Sequence, residues 1–258
     1  MITNARIITP PLILSTFSKI KQYVVAFISL LRNEVARLAI RHDASVFIKG
    51  LQKQGVDIAD DVIVFGENIR IDLTRPSLIH IGEKTFLHNG LKILTHDYAT
   101  FCFLNKFQDF VPSSGEVFIG NNVWFGENVT ILRGSYIGDN CIIGINSVVM
   151  GRIPDNTVAA GCPAKVVCSL DEYYEKRKKQ CVEEAFAYAR SLKKRFNRKP
   201  VPADFWEEFP LFVSGGEVEK YPDLPIRKQL GDAFDSWSRN HKAPYSSFEE
   251  FLRHAGIE

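Results

Sequence analysis

Residues 119 to 154 read IGNNVWFGENVTILRGSYIGDNCIIGINSVVMGRIP, and an aliphatic or aromatic residue recurs there at every sixth position. The recurring residues are Ile119, Phe125, Ile131, Ile137, Ile143 and Val149. Neither the roughly 3.6-residue period of a helix nor the alternation of a strand gives this recurrence. Short strands joined by tight turns give it, because each block supplies one inward-facing anchor and stacked blocks form a solenoid. A β-sandwich is the alternative, but its strand lengths vary too much to keep the period.

Glycine directly follows four of the six anchors, at Gly120, Gly126, Gly138 and Gly144. We expect a glycine or an asparagine next to the anchor to supply the unusual backbone angles of the turns between strands. The segment FGENIR at 65–70 has the form of one more block.

A second run of anchors precedes the first one and is out of phase with it. Its members are Ile81, Leu87 and Ile93. The difference in phase predicts an insertion between the two runs, and residues 99–115 are the segment that fits it.

Composition excludes several classes of protein. The chain has 258 residues, of which 45% are hydrophobic and 24% charged, as in an ordinary globular protein. A formal net charge of +2 gives no reason to expect a nucleic acid partner. Five cysteines without a CxxC pair argue against a disulfide framework or a zinc knuckle and favour a cytoplasmic location.

The stretch VWFGENVTILRGSYIGDNCIIGINSVVMGRIPDNTVAAGCPAKVV, at 123–167, resembles the hexapeptide-repeat acyltransferases, among them many sugar O-acetyltransferases. The resemblance covers about residues 56–168. It implies a mainly β fold, a left-handed parallel β-helix in which three blocks make one triangular coil. It also implies acyl transfer from acetyl-CoA by a homotrimer, with active sites between neighbouring subunits.

Members of this family carry a loop beside a histidine that acts as general base, and the resemblance gives that role to His96 in the stretch KILTHDY. An imidazole with a pKa of about 6.5 can accept the proton of an attacking hydroxyl near neutral pH. The other ring nitrogen needs an orienting acceptor, for which Asp97 and a backbone carbonyl are the two candidates. We expect His80 and His88 to be turn residues, with contact to the acceptor as the alternative for either. No histidine lies between His96 and His241, so a zinc site built from the later coils, and metal catalysis, are not expected.

The same resemblance predicts where coenzyme A lies. The indole of Trp124 flanks the pantetheine arm, the backbone amides of Glu127 and Ile145 contact it one coil apart, and Lys165 pairs with phosphate near the nucleotide. The chain departs from the family pattern at Met150 and Gly151, where a threonine and a lysine are usual.

The flanks of the repeat predict helices. Residues 16–42 have the pattern of a basic amphipathic helix, which caps the open end of the solenoid or, as an alternative, makes peripheral membrane contact. Residues 169–196 predict one long helix that ends before Pro200. The predicted domains are therefore a helical cap at 1–55, the β-helix at 56–168 with its insertion, and a helical extension at 169–258.

The resemblance, together with His96 beside the insertion, implies an enzyme that moves an acetyl group from acetyl-CoA to a sugar hydroxyl in surface polysaccharide biosynthesis. N-acetylation of an amino-sugar nucleotide is the second hypothesis, and a non-catalytic β-helix that binds a partner is the third.

Overall fold

The computed structural model describes residues 44–66 and 68–258. They form two compact units that divide between Asp171 and Glu172. The first unit consists mainly of short parallel strands and the second of helices, so the predicted mainly β character and the helical C-terminal part are confirmed. The amphipathic helix predicted at 16–42 lies outside the described residues.

The strands of the first unit are two to six residues long. They are β1 (Asp57–Ile58), β2 (Ile63–Val64), β3 (Arg70–Ile71), β4 (Ile79–Ile81), β5 (Phe86–Leu87), β6 (Lys92–Ile93), β7 (His96–Asp97), β8 (Ser113–Ser114), β9 (Val117–Ile119), β10 (Trp124–Phe125), β11 (Thr130–Ile131), β12 (Tyr136–Ile137), β13 (Ile142–Ile143), β14 (Val148–Val149), β15 (Arg152–Ile153), β16 (Thr157–Gly161) and β17 (Ala164–Ser169).

The chain visits three parallel sheets in turn. The first sheet has the order β1-β4-β9-β12-β15, the second β2-β5-β10-β13-β16, and the third β3-β6-β11-β14. One circuit of the three sheets is called a coil here. The strand β17 closes the second sheet by antiparallel pairing with β16. A short 3-10 helix, Pro76–Leu78, precedes β4.

Successive coils keep the spacing that the sixfold repeat predicts. Trp124 pairs with Ile142 and Thr130 pairs with Val148. The Nδ2 of Asn122 donates to Oδ1 of Asn140, 18 residues further along, at 2.8 Å. Three blocks of six residues therefore make one coil in this part of the chain.

The inward-facing anchors form the core of the first unit, as predicted. All six from Ile119 to Val149 have no exposed surface, and Ile81, Leu87 and Ile93 are also buried. At FGENIR the predicted position of the anchor is wrong by one residue. Val64, not Phe65, pairs with Leu87, and Phe65 is exposed.

Asparagine and glycine have different roles in the coils: asparagines form the turns, and glycine permits close contact between coils. A left-handed backbone, with φ between 53° and 59°, occurs at Asn122, Asn128, Asn140 and Asn146. The turn role predicted for the glycines is wrong at Gly120, Gly126, Gly138 and Gly144, since none of the four adopts this conformation. A Cβ on Gly126 would lie 2.6 Å from the backbone nitrogen of Ile145 in the next coil. Glycine is needed there because the coils approach each other too closely for a side chain.

The predicted insertion is present and contains a helix. The strands β7 and β8 pair in antiparallel fashion, His96 with Ser114 and Asp97 with Ser113. Between them lies α2 (Thr100–Phe107). Before the first coil, α1 (Ala44–Lys53) packs Ile48 and Leu51 into the core of the first unit.

The long helix predicted at 169–196 is confirmed as α3 (Leu170–Phe196). The helices that follow it are short: α4 (Ile226–Leu230), α5 (Phe234–Asn240) and α6 (Phe248–His254), with 3-10 turns at Pro202–Asp204, Phe209–Leu211, Gly215–Lys220 and Gly231–Ala233. Phe205, Phe212 and Phe251 are fully buried in the core of this second unit. Within the described residues, no helix combines the length and the apolar character needed to cross a membrane.

Candidate active site

His96 lies where the regular stack of coils gives way to the insertion. It follows β6 of the third sheet and begins β7, so its backbone is held by pairing with Ser114. About a third of its side chain, 32%, is exposed. A half-buried imidazole at this place is fixed by the scaffold and open to a ligand.

Asp72 orients the imidazole of His96. Its carboxylate lies 2.5 Å from His96 Nδ1, and only 6% of its side chain is exposed. Thr95 donates to the same carboxylate from its hydroxyl at 2.6 Å and its backbone at 3.1 Å, and Thr74 donates from its hydroxyl at 2.7 Å. The sequence left the orienting group open between Asp97 and a backbone carbonyl, whereas the structure has a third group, Asp72, at this nitrogen.

The charge state of Asp72 decides which ring nitrogen of His96 is free. Burial raises the pKa of Asp72, but the hydrogen bonds from Thr95, Thr74 and His96 outweigh burial and hold that pKa well below its ordinary value of 3.8. An ionised carboxylate only accepts hydrogen bonds, so Nδ1 of His96 carries the proton that it donates to Asp72. In the neutral imidazole Nε2 is then a proton acceptor, as a general base requires.

Asp97 anchors the inserted segment. Its carboxylate accepts hydrogen bonds from the backbone nitrogen of Ala99 at 3.0 Å, from Ser113 Oγ at 2.9 Å and from Arg133 Nε at 2.7 Å. The amide of Ala99, followed by Arg133 and Ser113, lowers the pKa of Asp97 to about 2. In these contacts Asp97 ties both ends of the insertion to Arg133 of the next coil.

A recess of about 430 Å³ lies beside His96. Its lining residues are Thr74, Arg75, His96, Asp97, Tyr98, Thr100, Phe110, Pro112 and Ser113. Of the phenylalanines of the insertion, Phe110 lines the recess, while Phe101 and Phe107 are exposed elsewhere on the segment. The recess therefore combines an apolar wall with a base and several polar groups, as a small-molecule site does.

Thr100, the first residue of α2, is an unusual member of this lining. It is 4% exposed, and within the described residues its Oγ1 is a buried polar atom that has no hydrogen-bond partner. An unpaired buried hydroxyl costs about 1–3 kcal/mol. No pattern in the sequence pointed to Thr100.

The residues predicted to bind coenzyme A lie on the second sheet and its turns. Trp124, on β10, is 43% exposed, and Ile145 is 61% exposed. Glu127 and Ile145 occupy neighbouring coils, and the backbone carbonyl of Glu127 accepts a hydrogen bond from Asn146 at 2.9 Å. Lys165 lies on β17, at the end of the same sheet. His96 does not belong to this sheet.

The other histidines and Arg152 have structural partners. His80 lies on β4, not in a turn as expected, and its Nδ1 lies 2.6 Å from Asp57 Oδ2. Its ring stacks on Phe118 at 4.4 Å. The guanidinium of Arg152 lies 4.0 Å above the ring of Tyr136. Across residues 44–66 and 68–258, no three His, Cys, Asp or Glu side chains cluster as metal ligands would.

Comparison with known proteins identifies the family. Residues 116–151 match the family model described as bacterial transferase hexapeptide (six repeats). Over 148 residues the chain is 34% identical to the Putative lipopolysaccharide biosynthesis O-acetyl transferase WbbJ of Escherichia coli (strain K12), covering 50% of this chain and 74% of that protein. The chain belongs to the hexapeptide-repeat acyltransferase family.

Other relatives of this hexapeptide-repeat acyltransferase have similar coverage. Protein CapG of Staphylococcus aureus is 35% identical over 126 residues, which are 49% of this chain and 73% of CapG. A crystal structure of a maltose O-acetyltransferase from Clostridium difficile 630 is 26% identical and covers 53% of this chain and 81% of that one, with a TM-score of 0.42. The family and the acyltransferase class that the sequence predicts are confirmed by these sequence relatives.

The lowered pKa of Asp72 predicts a pH-dependent contribution to stability. A carboxylate with a depressed pKa stabilises the fold above its unfolded-state pKa, and this contribution is lost as the pH falls toward its folded-state pKa. We expect Asp72→Asn to lower the free energy of unfolding by about 2 kcal/mol at pH 7, and by progressively less below about pH 4. Urea denaturation from pH 7 to 3 measures the difference. Asp109→Asn, at an exposed carboxylate of the inserted segment, is the control, and an Asp72→Asn effect independent of pH would contradict the prediction.

Thr100 and Thr95 form a matched pair for a second prediction. Both are buried, but the hydroxyl of Thr95 donates to Asp72 whereas that of Thr100 has no partner in the described part of the chain. We expect Thr100→Val to raise the free energy of unfolding by about 1 kcal/mol and Thr95→Val to lower it by about 1–3 kcal/mol. Chemical denaturation of the two variants checks this, and changes of the same sign would show that the hydroxyl of Thr100 is satisfied in solution.

Proposed function

We propose that this chain is an acetyltransferase that moves the acetyl group of acetyl-CoA to a hydroxyl of a sugar, in surface polysaccharide biosynthesis. The observation that carries the proposal is the hydrogen bond of 2.5 Å between Asp72 and His96, which lines the recess. It leaves Nε2 as a base beside a cavity of about 430 Å³, large enough for a sugar. Membership of the family supports acyl transfer, and the name of WbbJ supports a saccharide acceptor.

His96 is the general base of the proposed reaction. Its Nε2 takes the proton of the sugar hydroxyl as that oxygen forms a bond to the thioester carbonyl carbon. The imidazolium then returns this proton to the sulfur as the carbon–sulfur bond breaks, giving an acetyl ester and a free thiol. The ionised carboxylate of Asp72 stabilises the imidazolium between these two steps. Backbone amides near the thioester stabilise the oxyanion.

Acetyl-CoA is the donor substrate, and its proposed site is the second sheet with its turns. The exposed indole of Trp124 offers an apolar surface to the pantetheine arm, and the backbone at Glu127 and Ile145 offers hydrogen-bonding groups one coil apart. The ammonium of Lys165 on β17 is a point charge for a phosphate of the nucleotide.

The finer features of the architecture belong to the same proposal. The coils wind in the left-handed sense, and the chain forms a homotrimer in which one subunit faces the donor-binding surface of the next. Residues 1–55 cap the β-helix of residues 56–168, and 169–258 form an extension. The location is cytoplasmic, with peripheral membrane contact through residues 16–42 as the alternative.

A histidine pair tests the base. Both His96 and His80 lie within hydrogen-bond distance of an aspartate, Asp72 and Asp57 respectively, but only His96 lines the recess. We expect His96→Ala to lower acceptor-dependent thiol release from acetyl-CoA by about a hundredfold to ten-thousandfold, and His80→Ala to retain it. The assay uses neutral and acidic sugars, sugar nucleotides and amino-sugar nucleotides, with circular dichroism as a check of folding.

The outcomes of this assay separate the hypotheses. Release only with amino-sugar nucleotides would favour N-acetylation. A folded wild-type protein that releases no thiol with any acceptor would favour a non-catalytic β-helix. If His96→Ala were as active as the wild type, His96 would not be the general base.

A tryptophan pair tests the donor surface. Trp124 and Trp206 are similarly exposed, at 43% and 47%, but only Trp124 lies on the second sheet. We expect Trp124→Ala to raise the KM for acetyl-CoA about tenfold, because it removes the apolar surface under the pantetheine arm. Initial-rate kinetics measure the change, with Trp206→Ala as the control. An unchanged KM in Trp124→Ala would place the arm elsewhere.

A further inference from the structure

Arg75 is a charged residue of the recess that the proposed reaction does not use. It lines the recess together with His96, and its side chain is exposed. Within residues 44–66 and 68–258, its guanidinium takes part in no hydrogen bond or ion pair. Its five donors are therefore available to a ligand that enters the recess.

The other charged groups at the recess, Asp97 in its lining and Asp72 next to His96, already have partners. Asp97 is paired with Arg133 at 2.7 Å, and Asp72 accepts hydrogen bonds from His96, Thr95 and Thr74. Arg75 remains as the uncompensated charge of the lining. The recess is therefore complementary to a ligand with a negative charge.

The backbone of Arg75 is fixed from both sides. Before it, the backbone nitrogen and the hydroxyl of Thr74 both donate to Asp72 Oδ1. After it, Pro76 begins the 3-10 helix Pro76–Leu78, and the backbone nitrogen of Leu78 donates to the carbonyl of Arg75 at 3.1 Å. The turn that carries Asp72, the partner of the base, thus also fixes the backbone from which the side chain of Arg75 extends.

We propose that Arg75 selects an acceptor with an anionic group, either the carboxylate of an acidic sugar or the phosphate of a sugar phosphate. Guanidinium pairs with both groups through two parallel hydrogen bonds, which fix orientation as well as position. Because one turn carries both Arg75 and Asp72, whose carboxylate holds the imidazole of His96, the anionic group sets which hydroxyl of the acceptor reaches Nε2. The inference rests on the proposed function and names the class of its acceptor.

The test compares acceptors that differ only in charge. Thiol release is measured with glucuronic and galacturonic acid against their neutral carboxamides, and with glucose 6-phosphate and galactose 6-phosphate against the parent sugars. We expect the wild type to favour the acids or the phosphates in kcat/KM by about tenfold to a hundredfold, with the preference reduced at high salt. Which of the two series is favoured identifies the anionic group.

Variants assign the preference to Arg75. We expect Arg75→Gln to lose the preference while its rate with neutral acceptors and its KM for acetyl-CoA change less than about twofold, and Arg75→Lys to restore part of it. Lys106→Gln removes the same charge from an exposed position on α2 outside the recess lining and keeps the preference.

The contrary outcomes are distinct. If the wild type acetylates neutral and anionic members of each pair equally, or Arg75→Gln slows both equally, Arg75 does not select the acceptor, although the acetyltransferase function stands. A raised KM for acetyl-CoA in Arg75→Gln would instead assign Arg75 to the donor. If none of the acceptors supports thiol release, both the proposed function and this inference are wrong.

Discussion

Close contact between successive coils is the constraint on which the first unit depends. Neighbouring parallel strands lie about 4.8 Å apart, and at Gly126 the next coil leaves no space even for a Cβ. From Ile119 to Val149 an offset of 18 residues places each anchor above an equivalent one, and asparagine side chains at the corners bond from coil to coil. A segment that does not follow this spacing has to leave the stack, as residues 98–112 do.

The candidate active site uses both the regular and the irregular parts of this unit. Asp72 and His96 are 24 residues apart but belong to neighbouring coils, so coil stacking itself aligns the carboxylate with the imidazole. The recess, in contrast, takes much of its wall from the insertion, including Tyr98 and Phe110. The base is held by the stacked coils, whereas much of the wall belongs to the insertion, so the proposed proton transfer and the proposed choice of acceptor depend on different parts of the chain.

The sequence predicts the repetitive features well, because a sixfold period leaves little freedom in which residues face inward. It assigns Phe65 wrongly, since the motif FGENIR contains glycine and asparagine at familiar positions although the buried anchor is Val64. The sequence does not identify Asp72 as the partner of His96, because the two residues are 24 positions apart and the coil spacing is 18. Its place directly after Ile71, which pairs with Ile93, was the available signal. Thr100 lies in the inserted helix, where no periodicity applies.

The two ends of the insertion are neighbours in space. His96 pairs with Ser114 and Asp97 pairs with Ser113 across β7 and β8. Arg133 of the following coil donates a hydrogen bond to the carboxylate of Asp97. Paired residues of antiparallel strands lie only about 5 Å apart, so the segment leaves and re-enters the stack at nearly the same point. Residues 98–112 thus form an exchangeable cassette: its length and sequence can diverge among descendants of one scaffold without shifting any coil beneath it.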